Sequence, residues 1–504
     1  MIEMHPSHPL ARNDNHRTSH FQCNLLKRLI VLLVILIPAS GAATGQAAEQ
    51  NPDIVFIIVD DLNDWLGCLQ GHPDARSPNI DALAASGMLF PQAYCNAPQC
   101  RPSRTSLNHG IYPFHTGTYF NAKFKGEKKI TTPSMQQYFM QQGYRVASGG
   151  KVFHGGPGTR GDSLLGRPGD PKPPAGKDKF GGLNPPNDGF ALNVKDEQMG
   201  DYKVAQWAVE QWNQESSQPL FMSVGFFRPH RPLQVPESYF RQFPLDSIRK
   251  PMEPAADDWN DMPDFAKRLA RSHAHKPLHS RKTSDGKTVR DLSDHEYIVK
   301  SNEWETTIQA YQASIAFVDR QIGRFLDALK TNPRGRETIV MLVSDHGWHL
   351  GEKKHWCKGA IWEQTTRIPF MIRAAGVKPG SVCMQPVSLI DVFPTLVDLA
   401  GLPVPEHLDG SSVKPQLVDP MQKRSPVISS YGDGNTAIRT HRWRYIRYED
   451  GSEELYDHSD DPHEWKNLAE SAEHQEVKRE LAAEIPKNQH RGLKVQNWFN
   501  HYQP

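Results

Sequence analysis

Cysteine is scarce in this chain, six in 504 residues, so disulfides are not the scaffold of the fold. Net charge is almost absent, with 58 Lys and Arg against 57 Asp and Glu. That balance gives no global pull toward nucleic acid or an acidic membrane, so any attraction for an anion must be local. Beyond residue 37 no apolar run is long enough to span a bilayer. Internal repeats and low-complexity tracts are also missing, which argues against solenoids and tails. What is present is 38% hydrophobic residues, enough for a large core and two domains.

The N-terminus reads as a leader. Residues 1–28 are polar and end in Lys27-Arg28, Leu29 to Ile37 is apolar, and small residues crowd Ala39 to Ala48. A basic region, a short apolar core and a small-residue zone are the layout of a secretory signal peptide. The expectation is a signal over 1–48, cleavage near Ala43–Ala48, no stable membrane association afterwards, and a periplasmic or secreted protein (or a lysosome-like compartment in a eukaryote). An uncleaved anchor is the disfavoured alternative. Cys23 leaves with the signal; Cys68, Cys95, Cys357 and Cys383 could pair in an oxidising compartment, with no connectivity fixed by their spacing.

The remaining apolar runs alternate with helical patterns, which predicts an α/β core with a mainly parallel sheet. Ile54 to Val59 is unbroken and mostly β-branched, as a strand buried on both faces should be. It stops at Asp60-Asp61. Open α/β sheets bind ligands at the carboxyl ends of their strands, and adjacent carboxylates there repel unless a cation lies between them. A solvated loop is the plain alternative for one acid; two after a buried strand favour metal.

Other strands end in the same manner. Tyr144–Ala147 runs into Gly149-Gly-Lys-Val-Phe-His154, placing Lys151 and His154 after a strand. Pro219–Gly225 precedes Phe226-Phe-Arg-Pro-His-Arg-Pro232, whose titratable member is His230. Thr338–Val343 ends in Ser344-Asp345-His346-Gly347, a second acidic strand end, and Lys353, Lys354, His355 and Lys358 follow as a dense basic cluster. Helices are predicted over 77–87, 132–143, 202–214, 303–330 and 389–400. Residues 155–188 read as a long loop and 245–300 as a polar, irregular insertion whose His273, His275 and His279 are surface residues. After about residue 415, short alternating segments at 427–431, 435–440, 443–448 and 454–456 predict an antiparallel sheet, and residues 465–504 read as mostly helical.

The most specific stretch is Cys100-Arg101-Pro102-Ser103-Arg104, with Gly110 six residues on. A helix starting here places Cys100 at its N-terminus, where amides and dipole favour negative charge, and places Arg104 one turn further, able to aim back at position 100. Alone, such a cysteine is more simply an inert, half-buried thiol.

Cys-x-Pro-Ser-Arg resembles the signature of the type I sulfatases, whose cysteine is oxidised to formylglycine. The likeness extends along the chain: Asp60 and Asp61 match the paired metal ligands, Asp345 and His346 the second pair (often Asp-Asn), Gly150-Lys151-x-x-His154 the segment contacting formylglycine and sulfate, and His230 and Lys358 the residues holding sulfate and the leaving oxygen. Gly149–His154, Val224–His230 and Asp345–Trp348 look most like iduronate-2-sulfatases. Two departures stand out. Asn108-His109-Gly110-Ile111 replaces the usual Leu-Thr-Gly-Arg, weakening the site for the maturation enzyme, and His346 is an unusual ligand for a hard cation.

The resemblance implies an alkaline-phosphatase-like fold, with a catalytic α/β domain over 49–415 and a C-terminal α+β subdomain over 416–504. It also implies one divalent cation, calcium by family precedent, on Asp60, Asp61, position 100, Asp345 and His346, and hydrolysis of a sulfate monoester on a carbohydrate. In that scheme Arg104 and Lys151 hold the nucleophile, His230 or Lys358 serves the leaving oxygen, and His154 accepts the proton that drives sulfate release. Trp348 and His349 would line the sugar subsites. The implied partners are a sulfated carbohydrate and a formylglycine-generating enzyme, with no nucleic acid. Iduronate 2-sulfate is the substrate the resemblance favours, with another sulfated polysaccharide or an aryl sulfate as the alternative; the further rivals are a phosphatase or phosphonate hydrolase, which usually carries Ser or Thr as nucleophile, and a secreted binding protein with an unmodified Cys100.

Overall fold

Ile54–Val59 has no exposed residue, and its β-branched side chains fill both faces of a sheet. In the computed structural model it lies within an eight-stranded sheet. The strand order is Ser381–Val382, Met88–Leu89, Phe370–Arg373, Ile339–Ser344, Ile54–Val59, Leu220–Phe226, Arg145–Gly150 and Ser163–Leu165. From Ile339–Ser344 to Ser163–Leu165 neighbouring strands pair in parallel. Phe370–Arg373 is antiparallel to both of its neighbours, so the sheet is mixed at one side. The structure describes residues 51–496 except 124–126, 159–160, 173–188, 254–257, 272–280, 283–287, 290–291 and 488. The expected signal peptide, Cys23, His273, His275 and His279 lie outside the described residues.

Alternation along the central strand sorts its side chains into two cores. Val55, Ile57 and Val59 pack with the helices Pro78–Ala85, Gly200–Trp212 and Trp304–Thr331. Ile54, Phe56 and Ile58 pack with Cys100–His109, Met135–Gln141 and Val392–Leu399 on the other face. Parallel strands need crossovers, and these helices cover both faces as that connectivity requires.

The C-terminal region forms a four-stranded antiparallel sheet, Val427–Ser430, Thr436–Arg439, Trp443–Arg447 and Glu453–Asp457. One face packs on Leu481 and Ile485, the other on Phe120, Phe265 and Trp362 of the main body. A buried ion network joins the two: Glu363 meets Arg439 Nε at 3.2 Å and the Arg444 guanidinium, which also reaches Glu464.

Three expectations need correction. The described part of 245–300 is not irregular: Asp264–Arg271 and Asp294–Ser301 are helices, and Phe265, Ala266 and Leu269 enter the core. Their narrow apolar stripe was hidden by the charged residues around it. The loop at 155–188 contains the edge strand Ser163–Leu165. Among described residues after 465, Gln475–Ala483 is an α-helix, Ala472–His474 a single 3-10 turn, and most of the rest is not helical; Pro486 follows the helix, and further on His490 N donates to Phe114 O at 2.7 Å.

Candidate active site

Register assembles the site. Val59 lies opposite both Ser344 and Phe226, and Gly150 lies opposite Gly225. The residues that follow these strands therefore leave the sheet at one edge: Asp60-Asp61, Asp345-His346, Phe227 to His230, and Lys151. Two glycines make the last junction fit. Gly150 has a φ of +73°, in the left-handed region, and a Cβ on Gly225 would lie 2.2 Å from the Lys151 carbonyl carbon.

Cys100 opens the helix Cys100–His109 and has no exposed surface. Its Sγ lies 3.0 Å from Lys358 Nζ, 3.7 Å from Lys151 Nζ, 3.4 Å from His346 Nε2 and 3.8 Å from Asp61 Oδ1. Burial and Asp60 push this thiol up, but Lys151 and Lys358 outweigh them, and its pKa falls below the ordinary value. The other described cysteines are free thiols, so no disulfide forms among them. Burial raises the pKa of each.

Arg104 does not turn back onto the sulfur as expected. Its Nε donates to Asp345 Oδ2 at 2.8 Å, its Nη2 to Asp60 Oδ1 at 3.1 Å, and its Nη1 to the carbonyls of Lys151 and Val152. The planar fork binds two carboxylates at once, so Arg104 ties three strand ends together from beneath. Lys151 Nζ donates to Asp60 Oδ2, and Lys358 Nζ to Asp61 Oδ1 at 2.7 Å. The expected basic cluster divides: Lys358 enters the site, whereas Lys353 turns away to Asp258 at 3.1 Å and to the Glu464 carbonyl.

Asp60, Asp61, Cys100 and His346 each offer a ligand atom, all within 4.8 Å of one another. Asp345 stands beside them, its Oδ1 accepting from Asp61 N at 3.1 Å and lying 3.7 Å from His346 Nε2. The donor set fits a cation on one observation above all: Asp61 Oδ2 is buried and has no hydrogen-bond partner. Burial raises the Asp61 carboxyl to about 7, with Lys358 opposing. His346 Nδ1 lies 2.9 Å from the Gly347 carbonyl, which fixes a proton there and aims Nε2 at the cluster.

His154 sits exposed at the rim, and desolvation on its inner side together with Lys151 lowers its pKa to about 4. His230 is half-buried, with Nε2 3.9 Å from Asp61 Oδ2. Burial, Lys151 and Lys358 hold its pKa well below the usual value, so it carries no spare proton, and its Nδ1 is taken up by the Arg231 carbonyl at 2.6 Å. Trp348 and His349 are buried, 1% and 0% exposed, rather than open to a sugar. Trp348 stacks on Tyr311, and His349 packs between His355 and Trp362.

Sequence reasoning missed the residues that hold this machinery. Tyr311, read as part of an apolar helix face, donates its hydroxyl to the Asp61 carbonyl at 2.7 Å. Ser344 Oγ accepts from Leu62 N at 3.0 Å, and Ser103 Oγ donates to the Asp345 carbonyl at 2.5 Å. Ser103 lay inside the recognised motif; nothing in the spacing of Tyr311 distinguished it from its apolar neighbours.

Comparison with known proteins agrees in extent with this site. The family model "Sulfatase" matches residues 52–402, and one for the C-terminal part of N-sulphoglucosamine sulphohydrolase matches 351–491. A sulfatase of Formosa agariphila is 34% identical over 471 residues, covering 88% of each chain. Mouse iduronate 2-sulfatase is 30% identical over 414 residues, covering 73% of this chain and 72% of its own. A solved 2-O glycosaminoglycan sulfatase superposes with a TM-score of 0.67 at 23% identity, covering 86% of this chain and 91% of its own.

Proposed function

This chain belongs to the sulfatase family and is a sulfuric ester hydrolase, and we propose that it removes 2-O-sulfate from uronic acid units of a sulfated polysaccharide through a formylglycine made from Cys100. The observation that carries the reading is Cys100 itself, buried at a helix start within 3.0–3.8 Å of Lys358, His346, Lys151 and Asp61. The uronate preference rests on the relative named iduronate 2-sulfatase.

Formylglycine supplies a hydrated aldehyde as nucleophile, and a divalent cation, calcium by family precedent, supplies charge neutralisation and lowers the acidity barrier of that hydrate. Asp60, Asp61, Asp345 and His346 would hold the cation, with position 100 beside it. The surrounding charges suit an anionic substrate. Three carboxylates, Asp60, Asp61 and Asp345, already face three fixed cations, Arg104, Lys151 and Lys358. An added divalent cation then leaves the site positive enough to accept a sulfate monoester.

Lys151 and Lys358 flank position 100 and neutralise sulfate oxygens. Lys358 is held charged by Asp61 against the effect of burial, so it is the residue that serves the departing sugar oxygen. His230, neutral and with its proton held at Nδ1 by the Arg231 carbonyl, borders the sulfate pocket with an accepting Nε2 and donates no proton there. His154 stays neutral near physiological pH and accepts the proton whose loss releases sulfate. Arg104 positions Asp60 and Asp345.

The catalytic domain spans 49–415 and the C-terminal subdomain 416–504, the leader exports the protein to the periplasm or beyond, and a formylglycine-generating enzyme acts on Cys100 despite Ile111. Mass spectrometry of the tryptic peptide containing position 100 tests the reading: conversion removes about 18 Da relative to the thiol. An unmodified cysteine in active protein, or unchanged sulfatase activity in Cys100→Ala, would overturn it.

A further inference from the structure

Arg167 is an exposed residue beside this site, with no hydrogen bond or ion pair among the described residues. Its guanidinium carbon sits 3.1 Å from the centroid of the Phe227 ring. Lys151 Nζ approaches the same ring at 5.3 Å, and the His230 ring packs against it with centroids 4.6 Å apart. Phe227 is buried and Arg167 is exposed. One aromatic side chain therefore carries the sulfate-facing groups of the site and an arginine in contact with solvent.

The neighbouring acids are all committed. Asp170 accepts from Arg228 Nη2 at 2.6 Å and from Gly200 N at 2.8 Å. Asp201 accepts from Phe227 N and Arg228 N, both at 2.8 Å. Asp60 is near enough to act on the charge of Arg167 but is bound by Arg104 and Lys151. Among the described residues the Arg167 guanidinium forms no hydrogen bond and no ion pair, only the ring contact. The ring contact uses the cation's charge and none of its five N–H donors.

We infer that Arg167 is a specificity residue, binding a second anionic group on the substrate, a uronate carboxylate or a neighbouring sulfate, while the scissile sulfate lies against Lys151 and Lys358. The inference rests on the proposed function, because it requires a sulfated sugar in the site. Three cations approach the Phe227 ring; Arg228 is tied to Asp170 and to backbone carbonyls, which leaves Lys151 and Arg167 to meet two substituents on the same or adjacent sugars. The planar guanidinium forms paired hydrogen bonds with either anion.

The test compares wild type, Arg167→Ala and Arg167→Lys on four substrates: a 2-O-sulfated uronate disaccharide with a second sulfate, its carboxyl-reduced form, its form lacking the second sulfate, and 4-methylumbelliferyl sulfate. Arg167→Ala should raise KM for the intact disaccharide about tenfold and leave aryl sulfate turnover unchanged. Arg167→Lys should recover part of that affinity. The wild-type preference for the intact disaccharide over one truncated form should collapse in Arg167→Ala, and the form affected identifies the anion. Equal losses on aryl sulfate, or preferences for both truncated forms surviving in Arg167→Ala, would overturn the inference. Wild-type cleavage of the aryl sulfate but of no sugar sulfate would instead overturn the substrate reading on which it rests.

Discussion

The Tyr311 hydroxyl donates to the Asp61 carbonyl at 2.7 Å and accepts from the Asn63 amide at 3.0 Å. It thereby holds Asp61 at a φ of +59°, a left-handed conformation that costs a non-glycine residue about 1–3 kcal/mol. Tyr311 is the eighth residue of a 28-residue helix, so a rigid element fixes a carboxylate at the site.

Tyr311→Phe removes that tether and keeps the ring. Supporting residues of metal sites are worth about ten- to hundredfold in affinity or activity. The expected result is a loss of that size in apparent calcium affinity, read by titrating activity against added calcium, with little loss of stability. Activity that matches wild type at every calcium concentration would show that Asp61 needs no tether.

Chelation should abolish activity, and calcium should restore it. A cation at a hundred times its dissociation constant stabilises the fold by about 2.7 kcal/mol. Denaturation curves with EGTA and with calcium should differ accordingly. Curves that coincide with every divalent cation tried would remove the cluster of Asp60, Asp61, Asp345 and His346 from consideration as a cation site.

His154 sets an acidic limb. Its pKa is lowered to about 4 by desolvation and Lys151, and the neutral imidazole is the form that accepts a proton. Activity dependent on it should therefore hold from neutral pH down to about 5 and fall as pH drops through about 4, not near 6.5. His154→Ala should lower kcat by about 10²–10⁴ and remove that limb. A limb near 6.5 in wild type would contradict the assignment.

Glu363 holds the C-terminal sheet to the body through Arg439 and Arg444, and it also accepts from Tyr94 Oη at 3.0 Å. Glu363→Ala leaves buried guanidinium groups short of a partner, which costs about 3–5 kcal/mol. Chemical denaturation should show that loss, while KM of the surviving folded protein stays near wild type. A loss below 1 kcal/mol would mean that Glu464 and water compensate.

Much of this site was legible because strands announce their own ends. Val59, Val343 and Gly150 finish apolar or glycine-ending runs, and the polar residues after them, Asp60, Asp345 and Lys151, had to emerge at one edge once the strands were parallel. The C-terminal strands were legible for the same reason, with alternation marking their two faces. What was not legible depended on turns. Lys353 and Lys358 are five positions apart and both are buried, but the chain between them, with positive φ angles at Lys353, Lys354 and Cys357, takes Lys353 to Asp258 and Lys358 to Cys100. Trp348 and His349 were expected to line the sugar subsites, but both side chains are buried, and His349 pairs with Cys357 in a short hairpin. Arg104 looked aimed at its own helix start; two carboxylates on separate strands compete for it more strongly.

Cys100 has no exposed surface, and His346 and Lys358, which close over it, lie 246 and 258 positions further along the chain. The formylglycine proposed at this position would therefore have to be made while the polypeptide is still open. At synthesis rates of about 5–20 residues per second, the interval before those residues exist is roughly 12–50 s. Under the proposed conversion, the distance in sequence between the residue and the groups that bury it would act as a timer, and molecules that folded before they were modified would stay inactive.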